Sequence, residues 1–188
     1  MPPKQKISKE AILQAAFDLV REQGHNSLNA RSVANLLNCS VQPIFSCYTN
    51  MADLRTDVFS KVENFHADYF NGVKIDDDLF FNIGMAYIDF ALEEPNLFRM
   101  LFMSNGFSGK SLNAFVKDDC NEHLSAGIPV AFDRDSEETN KMFTDMWLYA
   151  HGIASMLVSN QSSMERSEIE TMVRSMFTLL TNKKGVML

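Results

Sequence analysis

The sequence is poor in residues that break or staple a chain. It holds eight glycines, five prolines and three cysteines in 188 residues. That scarcity excludes collagen-like and linker-rich architectures, and no repeat or low-complexity tract is visible. Cys39, Cys47 and Cys120 show no metal or disulfide spacing; they read as small buried or half-buried residues of a reducing cytoplasm. No run approaches the ~18 apolar residues of a membrane span. The start, MPPKQKISKE, is basic but leads into an amphipathic pattern, not a signal-peptide core. The four histidines, His25, His66, His123 and His151, include no pair at i, i+4. Glu122 and His123, near Asp118 and Asp119, read as a solvated helix face. No Ser, Cys or Asp nucleophile can be matched to a base by spacing. Neither an enzyme activity nor a metal or other cofactor is expected.

What the sequence does have is helical periodicity, fifteen phenylalanines, twelve methionines and an uneven charge. The net charge is −7, yet residues 1–66 carry seven Lys or Arg against six acids, and residues 67–188 ten against eighteen. A faintly basic N-terminal part beside an acidic remainder agrees with a nucleic-acid-facing N-terminus.

Apolar residues recur at helical spacing throughout, and no segment alternates like a strand. The fold class expected is all-α, with about nine helices. Ser8 can cap a helix to about Gln23, which Gly24 ends. A short helix carries Val33, Ala34, Leu36 and Leu37. Asn38 suits the left-handed conformation that ends it, and Ser40 can cap the next, with Pro43 in its first turn. Ile44, Phe45 and Cys47 or Tyr48 are expected to face inward, leaving Val41, Gln42, Pro43 and Ser46 outward. Thr49 or Asn50 caps a long helix to about Asn71, along whose side run Leu54, Val58, Val62, Phe65 and Tyr69. Helices follow over about 77–93, 96–103, 110–125 and 135–160. The last begins after Ser163 or Ser167, where Ser167 and Glu170 have capping-box spacing. Two short helices joined by three to four residues make a helix-turn-helix, whose second helix fits a DNA major groove.

Asn29 to Leu54 resembles the DNA-binding domain of the TetR family of transcriptional repressors. The resemblance rests on Val33-Ala34, Cys39-Ser40, Ile44-Phe45, Tyr48 and Met51-Ala52-Asp53-Leu54 in unbroken register, with Ile12 to Ala16 and Leu19 ahead. Trp147 to Gly152, WLYAHG, resembles the Trp-x-x-x-His-Gly signature of one branch's regulatory domain. Three positions depart from the family pattern: Phe45 stands where a Tyr reaches phosphate, Met51 where a Lys is common, and Pro43 where a small or hydroxyl residue is usual.

The resemblance implies a helix-turn-helix domain over residues 1–50 and an effector-binding and dimerisation domain over 51–188, linked by the helix of about 50–71. It implies a cytoplasmic homodimer on a palindromic double-stranded DNA operator, repressing until a small apolar effector releases it. The DNA-facing residues expected are Lys4, Lys6, Arg31, Ser40, Val41, Gln42, Pro43, Ser46 and Tyr48, with Lys9 as a further phosphate contact. Gln42 has the chemistry to pair with adenine, and Val41 or Pro43 to touch thymine methyls. The effector wall is expected from Phe80, Met85, Tyr87, Met100, Met103, Phe115, Trp147 and His151, since methionine adapts to irregular apolar surfaces and cavities between helices are usual ligand sites. Each of these residues also reads as plain core. The stripes of the last two helices suit a four-helix dimer interface through Ile153, Leu157, Met172, Met176, Phe177 and Leu180, or packing within one domain. The alternative reading is the same fold as a ligand-binding or protein-interaction module that has lost DNA affinity.

Overall fold

Ser8 Oγ accepts the Ala11 N–H at 3.1 Å and opens α1 (Lys9–Gln23). The computed structural model describes residues 7–74, 78–104, 137–159 and 163–182. α1 buries Ile12, Ala16, Phe17, Leu19 and Val20. It ends at Gly24, whose φ of 81° is open to glycine at little cost. A 3-10 turn (His25–Ser27) leads to α2 (Ala30–Leu36), capped by Asn29, and then to α3 (Gln42–Cys47). Asn50 Oδ1 accepts the N–H groups of Ala52 and Asp53 and starts α4 (Met51–Phe70). α5 (Leu79–Glu93), α6 (Pro95–Phe102), α7 (Glu137–Val158) and α8 (Arg166–Asn182) follow. The fold is all-α, with eight α-helices and no strand among the described residues. The helix expected over 110–125 lies outside them.

Chain contacts group Met1–Phe65 with Glu94–Gly106 in one compact unit, and His66–Glu93 with Phe107–Leu188 in another. In the first, α6 packs on α1 and the 3-10 turn. Its Leu97, Phe98, Met100, Leu101 and Phe102 are buried. Arg21 of α1 forks onto Glu94, which precedes α6. The Asn96 side-chain amide donates to the carbonyls of Arg21 and Glu22 at 2.9 and 3.1 Å, satisfying acceptors that the end of α1 leaves open. Leu54, Val58 and Val62 of α4 are fully buried, each such side chain stabilising the fold by about 1.5–3 kcal/mol.

The second unit is built from α5, α7 and α8. Gly84 of α5 sets their approach, because a Cβ there would meet Val173 Cγ1 at 3.2 Å and Met146 Cε at 3.3 Å. Arg166 holds both carboxylate oxygens of Asp89, at 2.5 and 2.9 Å. Arg174 reaches Asp78 and lies 3.9 Å over the Phe81 ring. The cap expected from Ser167 and Glu170 sits elsewhere. Glu168 reaches back to the Glu165 N–H at 2.9 Å, and Glu170 pairs with Arg166 instead.

Candidate functional site

The turn between α2 and α3 is fixed by its own backbone. Asn38, at φ 49°, is the one described non-glycine residue with positive φ. Its N–H donates to Asn35 O at 3.1 Å and the Cys39 N–H to Ala34 O at 2.9 Å. This pair of bonds is a Schellman motif, which closes the carbonyl end of α2 and redirects the chain. α3 then starts on Val41, not on a Ser40 hydroxyl cap as expected, and the Val41 carbonyl accepts the N–H groups of Ile44 and Phe45. Pro43 sits in the first turn, where no N–H is needed.

Ile44 is fully buried and anchors α3. Phe45, expected inward, stands 49% exposed beside exposed Val41 and Gln42. The cause is the helical period: Ile44 and Tyr48, four residues apart, take the inner face, and Phe45 is turned about 100° from Ile44. The outward face of α3 therefore carries Val41, Gln42, Phe45 and Ser46, with Pro43 half-buried. The Ser46 hydroxyl donates to Gln42 O at 2.9 Å. Arg31 of α2 and Ser40 of the turn are exposed as well.

Tyr48, expected at the DNA surface, is 4% exposed and belongs to the core. Burial first, and the nearby Asp57 carboxylate second, hold its phenol well above its ordinary pKa. Lys9 is tied to Asp57 at 2.7 Å and lies 4.8 Å over the Tyr48 ring. A phosphate would have to compete with that carboxylate for it. Lys4 and Lys6 lie outside the described residues.

In the second unit the structure assembles an aromatic cluster around His151. Trp147, one turn earlier on α7, stacks on its ring at 4.7 Å and 8° between planes. Tyr87 Oη of α5 lies 2.9 Å from His151 Nδ1, and Ser155 Oγ lies 3.2 Å from Nε2. Each ring nitrogen thus meets a hydroxyl, which can donate to one and accept from the other of a neutral imidazole. Burial lowers the His151 pKa from its ordinary value. Tyr87 also meets Trp147 edge-on at 6.0 Å and His66 at 6.4 Å. His66 is buried against Phe70 and Phe90, at 4.9 and 4.7 Å between ring centroids. It escaped the sequence reading, although the four-residue step from Leu54 through Val58 and Val62 leads to it.

Residues 80–180, over half of the chain, match a family model described as a tetracyclin repressor-like C-terminal domain. The chain belongs to the TetR family. It is a TetR-family regulator, whose Trp147 and His151 lie inside the matched segment. No curated protein matches the sequence.

Among the residues expected around an effector in this TetR-family chain, Met85, Tyr87, Trp147 and His151 share the second unit, the first three being buried. Met100 and Met103 belong to the first unit, Met100 buried and Met103 47% exposed. Phe115 and the Phe80 side chain lie outside the described set. Of the expected dimer residues, Ile153 and Phe177 are 4% and 6% exposed. Both pack within this unit, as the alternative of packing within one domain has it. Leu157, Met172, Met176 and Leu180 are half-buried, and Leu148, Met156 and Leu179 are open at 44%, 43% and 62%. Among the described residues no group of His, Cys, Asp or Glu is placed to hold a metal. No described helix is long and apolar enough to cross a membrane.

Proposed function

We propose that this TetR-family chain is a homodimeric, operator-binding transcriptional regulator whose DNA affinity a small apolar effector changes in the direction of release. The observation that carries the reading is α3: buried through Ile44, oriented by the Schellman turn at Asn38, and presenting Val41, Gln42, Phe45 and Ser46 outward. Paired in a dimer, two such helices about 34–36 Å apart reach successive major grooves of a palindrome. The effector would enter the second unit near Tyr87, Trp147 and His151. α4 has residues in both units, so it is a covalent element through which an effector-preferred state can alter the spacing. Electrophoretic shift against a randomised duplex pool, at graded salt and with the dimer verified, tests the proposal. Enrichment of a palindrome supports it, and no specific site at any salt ends it.

One observation favours a second reading, a ligand-binding or interaction module with lost DNA affinity. The exposed face of α3 has no Lys or Arg, and Lys9 is held by Asp57. Phosphate neutralisation supplies most non-specific affinity, so Met51→Lys separates the two. Tighter binding to generic DNA without preference for any operator supports the module.

A further inference from the structure

A cleft of about 430 Å³ opens within the first unit, between the 3-10 turn, the start of α4 and the end of α6. Small-molecule sites typically hold roughly 300–1,000 Å³. Its apolar lining is Leu28, Phe59 and Met100, of which Leu28 and Met100 are buried. Its polar lining includes His25, Arg55 and Ser60, and no carboxylate lines it among the described residues. Among the described lining residues Arg55 is the one permanent charge. That guanidinium donates from Nη2 to Leu28 O at 3.1 Å, which engages one of its five N–H donors. The hydroxyls of Thr56 and Ser104, also lining the cleft, donate to the carbonyls of Ala52 and Met100. With their hydrogens so engaged, these oxygens keep acceptor capacity.

We propose that this cleft binds a small carboxylate with an apolar body. The carboxylate pairs with Arg55, the body lies on Leu28, Phe59 and Met100, and the Thr56 and Ser104 oxygens accept any N–H or O–H it carries. The site is separate from the Tyr87–His151 cluster of the second unit, and it has a direct mechanical meaning. Leu28 is followed by Asn29, the residue that caps α2, so the Arg55 bond ties α4 to the entrance of the helix-turn-helix. A carboxylate on the remaining donors of Arg55 therefore sits beside that tie.

The test is made on the full chain without DNA, so it does not depend on the operator reading. Naphthoate is titrated against protein carrying isotope-labelled methionine methyls, the Met100 resonance being assigned with Met100→Leu. The expected result is saturable movement of the Met100 methyl, at least tenfold weaker for the uncharged naphthamide and for Arg55→Gln. Arg55→Lys is expected to retain binding better than Arg55→Gln. Ser60→Trp, at an exposed position, is expected to block the cleft and remove the response with the fold kept. A silent Met100 methyl overturns the proposal, as does a response confined to methionines of the second unit. Equal binding of naphthoate and naphthamide, or a response unchanged by Arg55→Gln and Ser60→Trp, also overturns it.

Discussion

Glu94 and Arg21 are joined by a two-pronged ion pair across 73 residues of sequence, with Nε to Oε2 at 2.8 Å and Nη2 on Oε1. The partners differ in burial: the Glu94 side chain is 10% exposed and that of Arg21 46%. Removing the carboxylate frees a guanidinium that water can reach, whereas removing the guanidinium strands a carboxylate in the interior. Glu94→Ala should therefore cost about 1–3 kcal/mol, and Arg21→Ala more. Denaturant unfolding checks the order, and a smaller loss for Arg21→Ala contradicts the assigned burial.

The His151 environment gives stability a pH dependence of definite sign. Burial lowers its folded pKa below the ordinary 6.5. Between the two values the unfolded chain binds more protons than the native one, so stability rises with pH. It should be full above the unfolded pKa and decline as pH falls from there toward the folded pKa. His151→Gln should flatten this part of the profile. Thermal unfolding of both proteins from neutral to mildly acid pH measures the difference, and identical slopes would exclude any such contribution from His151.

The sequence and the structure agree where a single local rule decides. Asn38 was legible as a left-handed stop because few residues tolerate that φ, and Trp147 with His151 because four residues make one turn. Phe45 was legible only through the resemblance, which sets it where a Tyr reaches phosphate: an aromatic side chain by itself reads as inward, and the anchoring of α3 through Ile44 turns it out. His66 was hidden by neighbouring Phe65, which reads as the more apolar continuation of α4. The attachment of α6 to α1 depends on Arg21, Glu94 and Asn96 meeting across more than 70 residues, which no periodicity encodes. The cleft at Arg55 gathers residues from three elements, and none of them stands out alone.

Gly84 tests how tightly the second unit is packed. Alanine there gains about 1 kcal/mol of helix propensity but places a Cβ 3.2 Å from Val173 Cγ1 and 3.3 Å from Met146 Cε. Met146 can give way by rotating its flexible end, while Val173 is stiff about χ1. The two effects should nearly cancel, leaving Gly84→Ala within about 1 kcal/mol of the parent. Gly84→Leu cannot be accommodated in that way and should cost about 1–3 kcal/mol or more through overpacking. Calorimetric unfolding distinguishes the pair, and equal stability of all three proteins refutes the close approach.

Arg31 and Gln42 should fail differently on an operator. Both are exposed, Arg31 on α2 and Gln42 on α3. Arg31, acting on a phosphate, should on change to Ala weaken every duplex alike and reduce the slope of log affinity against log salt by about 1. Gln42→Ala should leave that slope alone and lose about 1–3 kcal/mol at one A·T position, relaxing the preference there. Titrations at several salt concentrations, repeated on operators altered at single positions, resolve both. An unchanged salt slope for Arg31→Ala would place that side chain off the backbone.

The proposed dimer makes its demand on the outer faces of α7 and α8. Leu148, Met156 and Leu179 are open, Leu157, Met172, Met176 and Leu180 half-covered, while Ile153 and Phe177 are spent on the unit's own core. A charge at an open position leaves the monomer's packing intact but must be desolvated if a second copy covers it. Leu179→Arg and Met156→Arg should therefore shift the chain from dimer to monomer with stability falling only through the lost association, whereas Phe177→Arg should unfold it. Sedimentation equilibrium and denaturant unfolding at two protein concentrations separate these outcomes. Retention of the dimer by both surface variants would move the interface away from these faces.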